Sequence, residues 1–253
     1  MKDFELQEAR GPDFPQGLLK FEYDNGIRDW GYIYPRSRCG VGVVVLHGHG
    51  SHGDQLFVRQ DIRHWMDRML ELEVGFMTPN LRDNAWMSPE AAADLKELIL
   101  WAKKEYGWEK IILASGSMGG TGNLIFAILY PELVDAVVAL GAATDLPRYV
   151  EWLAQQELPV CGEIREAILN SYHHDPETLA AHSVGCHTGR LTMPVWYAHG
   201  ESDRLMTINE ARALAAKLAD RADFHFHEIP GGSHDSPLGL FGKYLEQAYK
   251  TIL

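Results

Sequence analysis

Ile111-Ile112-Leu113-Ala114-Ser115-Gly116-Ser117-Met118-Gly119-Gly120 is the stretch on which the reading of this chain turns. A continuous apolar run passes into small residues, and a helical pattern follows. Apolar runs of this kind belong to strands buried on both faces, as in a parallel sheet. A serine on a sharp strand-to-helix turn stands above the carboxyl edge of such a sheet. There the first helical turn offers free N–H groups and the positive end of the helix dipole to developing negative charge. The turn needs small neighbours because the backbone passes close to itself, and Gly116, Gly119 and Gly120 meet that need. The pattern departs from G-x-S-x-G in one place: Ser115 stands where the first glycine belongs. An ordinary glycine-rich turn is the bland alternative, so the rest of the chain has to decide.

On either side of this segment, short apolar runs alternate with helical stretches. Residues 20–23 and 30–34 flank Asp24-Asn25-Gly26 and read as an N-terminal hairpin. Strands are expected at 41–46, 74–78, 110–114, 135–140, 195–199 and 224–229. Helices are expected at about 58–72, 88–106, 120–129 and 239–253. Ser88-Pro89-Glu90 opens one of them with an N-cap serine and a first-turn proline, and Gly107 stops it. A further helix starts at Thr207, with Glu210 three residues on as a capping box. This alternation predicts an α/β fold, a mostly parallel sheet covered by helices on both faces, in one domain spanning 1–253. Residues 142–193 are too polar and broken for one element and read as an insertion capping one end of the sheet.

A serine hydroxyl becomes a useful nucleophile only when a base takes its proton and a third group orients that base. Asp203 follows the strand at 195–199 in His199-Gly200-Glu201-Ser202-Asp203. His234 follows the last strand in Gly231-Gly232-Ser233-His234. Loops after parallel strands gather at the carboxyl edge, so Ser117, Asp203 and His234 are expected to meet there. Acyl transfer also needs backbone donors for its oxyanion. The Met118 N–H, directly after Ser117, is one candidate. The His49 N–H in His47-Gly48-His49-Gly50 is the other, with Gly50 as the fallback.

Taken together, the H-G-x-G, small-x-S-x-G-G, H-G-x-x-D and G-x-x-H segments between residues 41 and 235 resemble the α/β-hydrolase superfamily. The elbow and the His199–Asp203 segment are most similar to its prolyl-oligopeptidase-like and carboxylesterase branches, and the chain is too short for a propeller domain. The resemblance implies a serine esterase acting through an acyl-enzyme with no cofactor and no metal. Its substrate would be a small or polar carboxylic ester, and a peptidase on the same triad is the near alternative.

Composition sets the outer limits. With 35 acidic against 23 basic residues and a formal net charge of -12, the surface repels phosphate backbones and anionic lipid. Neither nucleic acid nor a membrane is therefore expected as a partner; a small-molecule ester is. Three cysteines without C-x-x-C spacing suit a reducing compartment, and the polar N-terminus lacks a signal-peptide pattern, so a cytoplasmic location is expected. Two other function classes are carried forward. His47, His49, His52 and Asp54 invite a zinc hydrolase, although Ser51 breaks the H-x-H-x-D-H pattern. A non-catalytic binding module on the same fold is the other. Asp145, also just after a strand, is the rival for the triad acid. Trp86, Met87, Tyr149 and Trp152 are expected either to line the substrate pocket or to pack the insertion onto the sheet.

Overall fold

Alternation along the central strands sorts the core into two faces. In the computed structural model, which describes residues 4–253, Val44, Met77, Leu113, Val137 and Tyr197 point to one side of the sheet. Their immediate neighbours Val43, Phe76, Ile112, Val138 and Trp196 point to the other. Both sets are buried, so both faces need a helical cover. This is why the strands read as unbroken apolar runs rather than as an apolar–polar alternation.

The strands are β1 (Glu5–Glu8), β2 (Leu19–Asp24), β3 (Arg28–Tyr34), β4 (Val41–Val44), β5 (Gly75–Pro79), β6 (Lys110–Gly116), β7 (Ala136–Leu140), β8 (Val195–Gly200) and β9 (Phe224–Ile229). They form one sheet in the order β1-β2-β3-β5-β4-β6-β7-β8-β9. β1 to β3 are antiparallel and join β5 antiparallel, while β4 to β9 run parallel. The switch in direction follows the predicted hairpin. β1 was not expected: its four side chains are all exposed, so no apolar pattern marks it, and main-chain pairing to β2 makes it a strand.

The helices are α1 (Gln55–Val58), α2 (Arg63–Glu71), α3 (Pro89–Tyr106), α4 (Ser117–Leu129), α5 (Leu146–Leu153), α6 (Pro159–Ser171), α7 (Pro176–Ala181), α8 (Ile208–Lys217) and α9 (Phe241–Ile252). α3 and α4 cover the first face, with Leu95, Leu98 and Ile125 in its cluster. α2 and α9 cover the second, where Trp65 stacks on Phe241 at 4.2 Å between ring centroids. The capping expectations for α3 hold: the Ser88 hydroxyl accepts from the Ala91 N–H, and Gly107 closes the helix at φ 69°.

Two expectations change. The single helix predicted at 58–72 is broken, because Arg59 is extended (ψ 106°) between α1 and a 3-10 turn that leads into α2. The Arg59 guanidinium is held by Asp61 and by Asp235, a residue far along the chain, and that tertiary pull outweighs local helix propensity. The helix predicted from residue 120 begins at Ser117. Between β7 and β8 lie α5, α6, α7 and two 3-10 turns, built on short helix signals such as Asp175-Pro176. None of the described helices is long and apolar enough to cross a membrane.

Candidate active site

The β6–α4 turn places Ser117 in the left-handed region, at φ 57°. A non-glycine residue held there stores strain that the surroundings must hold in place. The surroundings are tight: a Cβ on Gly119 would sit 2.3 Å from the Leu46 carbonyl oxygen, so only glycine lets α4 pass β4 this closely. Ser115, the departure from the usual elbow, is fully buried, and its hydroxyl accepts from the Leu46 N–H at 2.7 Å. It therefore fastens the exit of β4 to the elbow, a role that the G-x-S-x-G pattern does not assign to this position.

The β8 and β9 loops bring the other two residues in. A Cβ on Gly200 would sit 2.2 Å from the Ser233 carbonyl oxygen, so the Asp203 loop and the His234 loop touch only because residue 200 is glycine. Asp203 Oδ1 accepts from the N–H groups of Leu205 (2.8 Å) and Met206 (2.9 Å), leaving Oδ2 for His234. His234 Nδ1 donates to that oxygen at 2.7 Å, and His234 Nε2 lies 2.9 Å from Ser117 Oγ. Ser117, His234 and Asp203 thus form one hydrogen-bonded chain.

The Asp203 side chain is wholly buried, while that of His234 keeps 15% of its surface exposed. Burial alone would raise the Asp203 carboxyl. The bond from His234, its positive charge when protonated, and the Met206 and Leu205 N–H groups outweigh this and hold the carboxyl below the usual range. His199, fully buried beneath, has Nε2 2.9 Å from the Met206 carbonyl and 3.4 Å from Asp203 Oδ2. Burial keeps the His199 ring below the ordinary imidazole range and hence neutral, with the Nε2 proton donated to Met206. Asp145, the rival acid, caps α5 by accepting from the Arg148 N–H and does not meet His234.

The loop after β4 lies beside Ser117. Its Gly48 N–H donates to Gln55 Oε1 (2.6 Å) and its Gly50 N–H to Asn84 Oδ1 (2.8 Å). That removes Gly50 as a second donor, and the His49 N–H between them has no partner among the described residues. The Met118 N–H sits in the first turn of α4, where helix N–H groups lack an intrahelical acceptor.

His47, His49 and His52 do not converge. His47 faces the carbonyls of Gly48 and Asn80, His49 accepts from the Trp86 indole, and His52 pairs with Asp83. Among the described residues no set of three His, Cys, Asp or Glu side chains is placed to hold a metal. A cavity of about 290 Å³ opens over Ser117 and His234, walled by the β4 loop, α1, Trp65 and the α6 residues Val160 and Ile164. Trp86, Met87 and Tyr149 are buried and lie outside this cavity's lining, so they chiefly pack the insertion against the β5 loop, with Trp86 and Met87 also bordering a separate pocket of about 20 Å³ beside Met118. Tyr172, the residue that ends α6, makes that attachment: its hydroxyl lies 3.0 Å from both the Trp86 and the Met87 carbonyl oxygens and shares its proton between them.

Residues 42–167 match the sequence profile of the alpha/beta hydrolase fold, and the strand order and parallel run agree with it. The chain belongs to the α/β-hydrolase superfamily. Among curated proteins, this α/β-hydrolase is 25% identical to a monoacylglycerol lipase of Mycolicibacterium smegmatis, over 77% of its own length and 81% of the relative's. Among solved structures it resembles an acetyl xylan esterase from Paenibacillus sp. R4, at TM-score 0.73 and 14% identity, covering all of this chain and 90% of that one. It also resembles the fluorophosphonate-binding serine hydrolase F of Staphylococcus aureus, at TM-score 0.61 and 16% identity, covering 99% and 98% of the two chains. Identities this low make both likenesses statements about the fold.

Proposed function

We propose that the protein is a serine hydrolase that cleaves small or polar carboxylic esters through an acyl-enzyme. The observation that carries this is the unbroken chain Ser117 Oγ, His234 Nε2, His234 Nδ1, Asp203 Oδ2, with bonds of 2.9 and 2.7 Å. In this reading His234 Nε2 takes the Ser117 proton as Oγ attacks the ester carbonyl carbon. The carbonyl electrons pass to the oxygen, which the Met118 and His49 N–H groups stabilise. The tetrahedral species collapses, the bond to the alcohol oxygen breaks, and His234 returns the proton to the departing alcohol. Water, activated by the same imidazole, then releases the acid and restores Ser117. Asp203 stays ionised throughout, because its environment already holds the carboxyl low.

A cavity of about 290 Å³ suits small acyl and alcohol groups. The relative named monoacylglycerol lipase acts on an ester by its name, which supports an ester over an amide bond. We further propose that residues 142–193 act as a cap, since Val160 and Ile164 supply part of the cavity wall.

The test combines a fluorophosphonate probe, peptide mapping of the adduct, and p-nitrophenyl acetate turnover. A single adduct on Ser117, with turnover lost in parallel, is expected. Ser117→Ala should lower kcat at least a thousandfold. Turnover that survives in Ser117→Ala but is abolished by a chelator would move the chemistry to the His47–Asp54 segment. Faster cleavage of a matched anilide than of the ester would turn the reading to a peptidase.

A further inference from the structure

The β4 loop and the start of α1 carry two side chains, His49 and Gln55, whose hydrogen-bonding directions are decided by partners of unambiguous role. An indole N–H only donates, so the bond from Trp86 Nε1 to His49 Nδ1 (3.2 Å) makes Nδ1 the acceptor. The proton of the neutral ring is then on Nε2. A backbone N–H likewise only donates, so the 2.6 Å bond from Gly48 to Gln55 fixes Oε1 as acceptor and turns the NH₂ half of the amide away. His49 and Gln55 both line the cavity over Ser117, and no described residue hydrogen-bonds to His49 Nε2 or Gln55 Nε2.

The device that orients His49 is itself rigidly held. Trp86 is buried and sits at φ 47°, in a loop where Leu81, Arg82, Asp83 and Met87 are also left-handed. Backbone strain of this kind persists only where neighbours over-determine it. Tyr172 bonds to the Trp86 carbonyl, and Arg82 is clamped to Asp94 at 2.6 Å. Burial lowers the His49 imidazole from its ordinary value, which keeps Nδ1 free to accept from the indole.

The same cavity is poorly suited to an anion. Arg59 is the one Lys or Arg in its described lining, and its guanidinium already binds Asp61 at two points and Asp235 at 3.3 Å. N–H donors without a free cation select neutral oxygen acceptors.

We propose that His49 Nε2–H and Gln55 Nε2–H₂ form a donor pair that recognises a neutral oxygen of the substrate beyond the scissile ester. The preferred class is then esters bearing hydroxyl or ether oxygen near the reacting carbonyl, and the discrimination is against isosteric alkyl esters. This rests on the ester-hydrolase reading above. A polar partner left unpaired is what makes such a site reject the analogue lacking the oxygen.

The experiment compares two matched pairs: 2-methoxyethyl against butyl butyrate, and p-nitrophenyl methoxyacetate against p-nitrophenyl butyrate. Each kcat/KM is divided by the rate of hydroxide hydrolysis of the same ester. Labelling of Ser117 by O-(2-methoxyethyl) and O-butyl fluorophosphonates is followed alongside. The wild type should favour the oxygen member of at least one ester pair, and of the probe pair, by about fivefold per donor engaged. His49→Phe and Gln55→Glu (which keeps the acceptor for Gly48) should each remove about fivefold of that preference. Trp86→Phe, which frees the imidazole to adopt either tautomer, should remove part of it. Variants that lower both members of a pair alike would assign these residues a merely structural role and overturn the proposal, as would a wild type with no preference. If no ester turns over, the esterase reading falls, and the labelling ratio still decides this inference.

Discussion

Ser115 shows how one side chain can tie a strand to the turn that carries Ser117. Its hydroxyl holds the Leu46 N–H at 2.7 Å, directly before the His47–Gly50 loop, and lies 3.5 Å from Asn123 Oδ1. Glycine at this place would leave a buried N–H without a partner, which costs about 1–3 kcal/mol. Ser115→Ala is therefore expected to lower the denaturation midpoint by a stability loss of that size. Because Leu46 leads into the loop carrying the His49 N–H, kcat should fall about tenfold or more while KM changes little. Steady-state kinetics with p-nitrophenyl acetate read this directly. An unchanged kcat would mean that the loop is held without Ser115.

At the scale of elements, the site is a meeting of three strand exits: β6 to α4, β8 to the Asp203 loop, and β9 to the His234 loop. Parallel neighbours in the order β6-β7-β8-β9 bring these exits to one edge. The β8 and β9 exits then touch across Gly200, where a Cβ would lie 2.2 Å from Ser233 O and 2.5 Å from Gly232 O. Both obstacles are backbone, so the loops must separate to admit a methyl group. Gly200→Ala is expected to destabilise the fold by about 1–3 kcal/mol. By parting Asp203 from His234 it should also slow fluorophosphonate labelling of Ser117 about a hundredfold. Normal labelling in a correctly folded variant would show that the loops tolerate the separation. The broken helix between Gln55 and Glu71 belongs to this scale too. Arg59 leaves helical geometry to reach Asp61 and Asp235, and in doing so it becomes part of the cavity wall.

For the whole molecule, the least expected feature is a buried acid that joins α8 to the β7 exit. Glu210 was predicted to complete a capping box with Thr207. Thr207 does cap α8, accepting from the Asn209 N–H, but Glu210 is buried against residues 144–145. Burial, and then the charge of Asp145, push its carboxyl up to about 8, against the pull of the Asp145 and Thr144 N–H groups. An acid whose folded value lies above its unfolded one takes up a proton on folding. Its destabilising effect is absent below the unfolded value of 4.5, grows as pH rises, and is complete above about 8. Glu210→Gln removes that dependence. The stability gap between variant and wild type should widen from pH 5 to pH 8, with a slope of at most about 1.4 kcal/mol per pH unit. Parallel stability curves over that window would refute the assignment.

What could be read in advance follows from the range of the interactions involved. Apolar runs, the Asp24-Asn25-Gly26 turn, Ser88 and Gly107 act within a few residues, so the strands, the hairpin and the α3 ends were legible, as was the α/β-hydrolase architecture. The placement of Ser117, Asp203 and His234 after strands was also legible, because strand exits of a parallel sheet share an edge. Tertiary structure alone decided the rest. β1 exists through main-chain pairing that no side-chain pattern encodes. Asn84 removes Gly50 from the candidate donors, and Trp86 sets the His49 tautomer, through contacts spanning 34 and 37 residues. Glu210 loses its local capping role to a pocket formed by another loop. Hydrogen-bond direction and burial depend on which distant groups arrive, and a sequence lists groups without saying which of them meet.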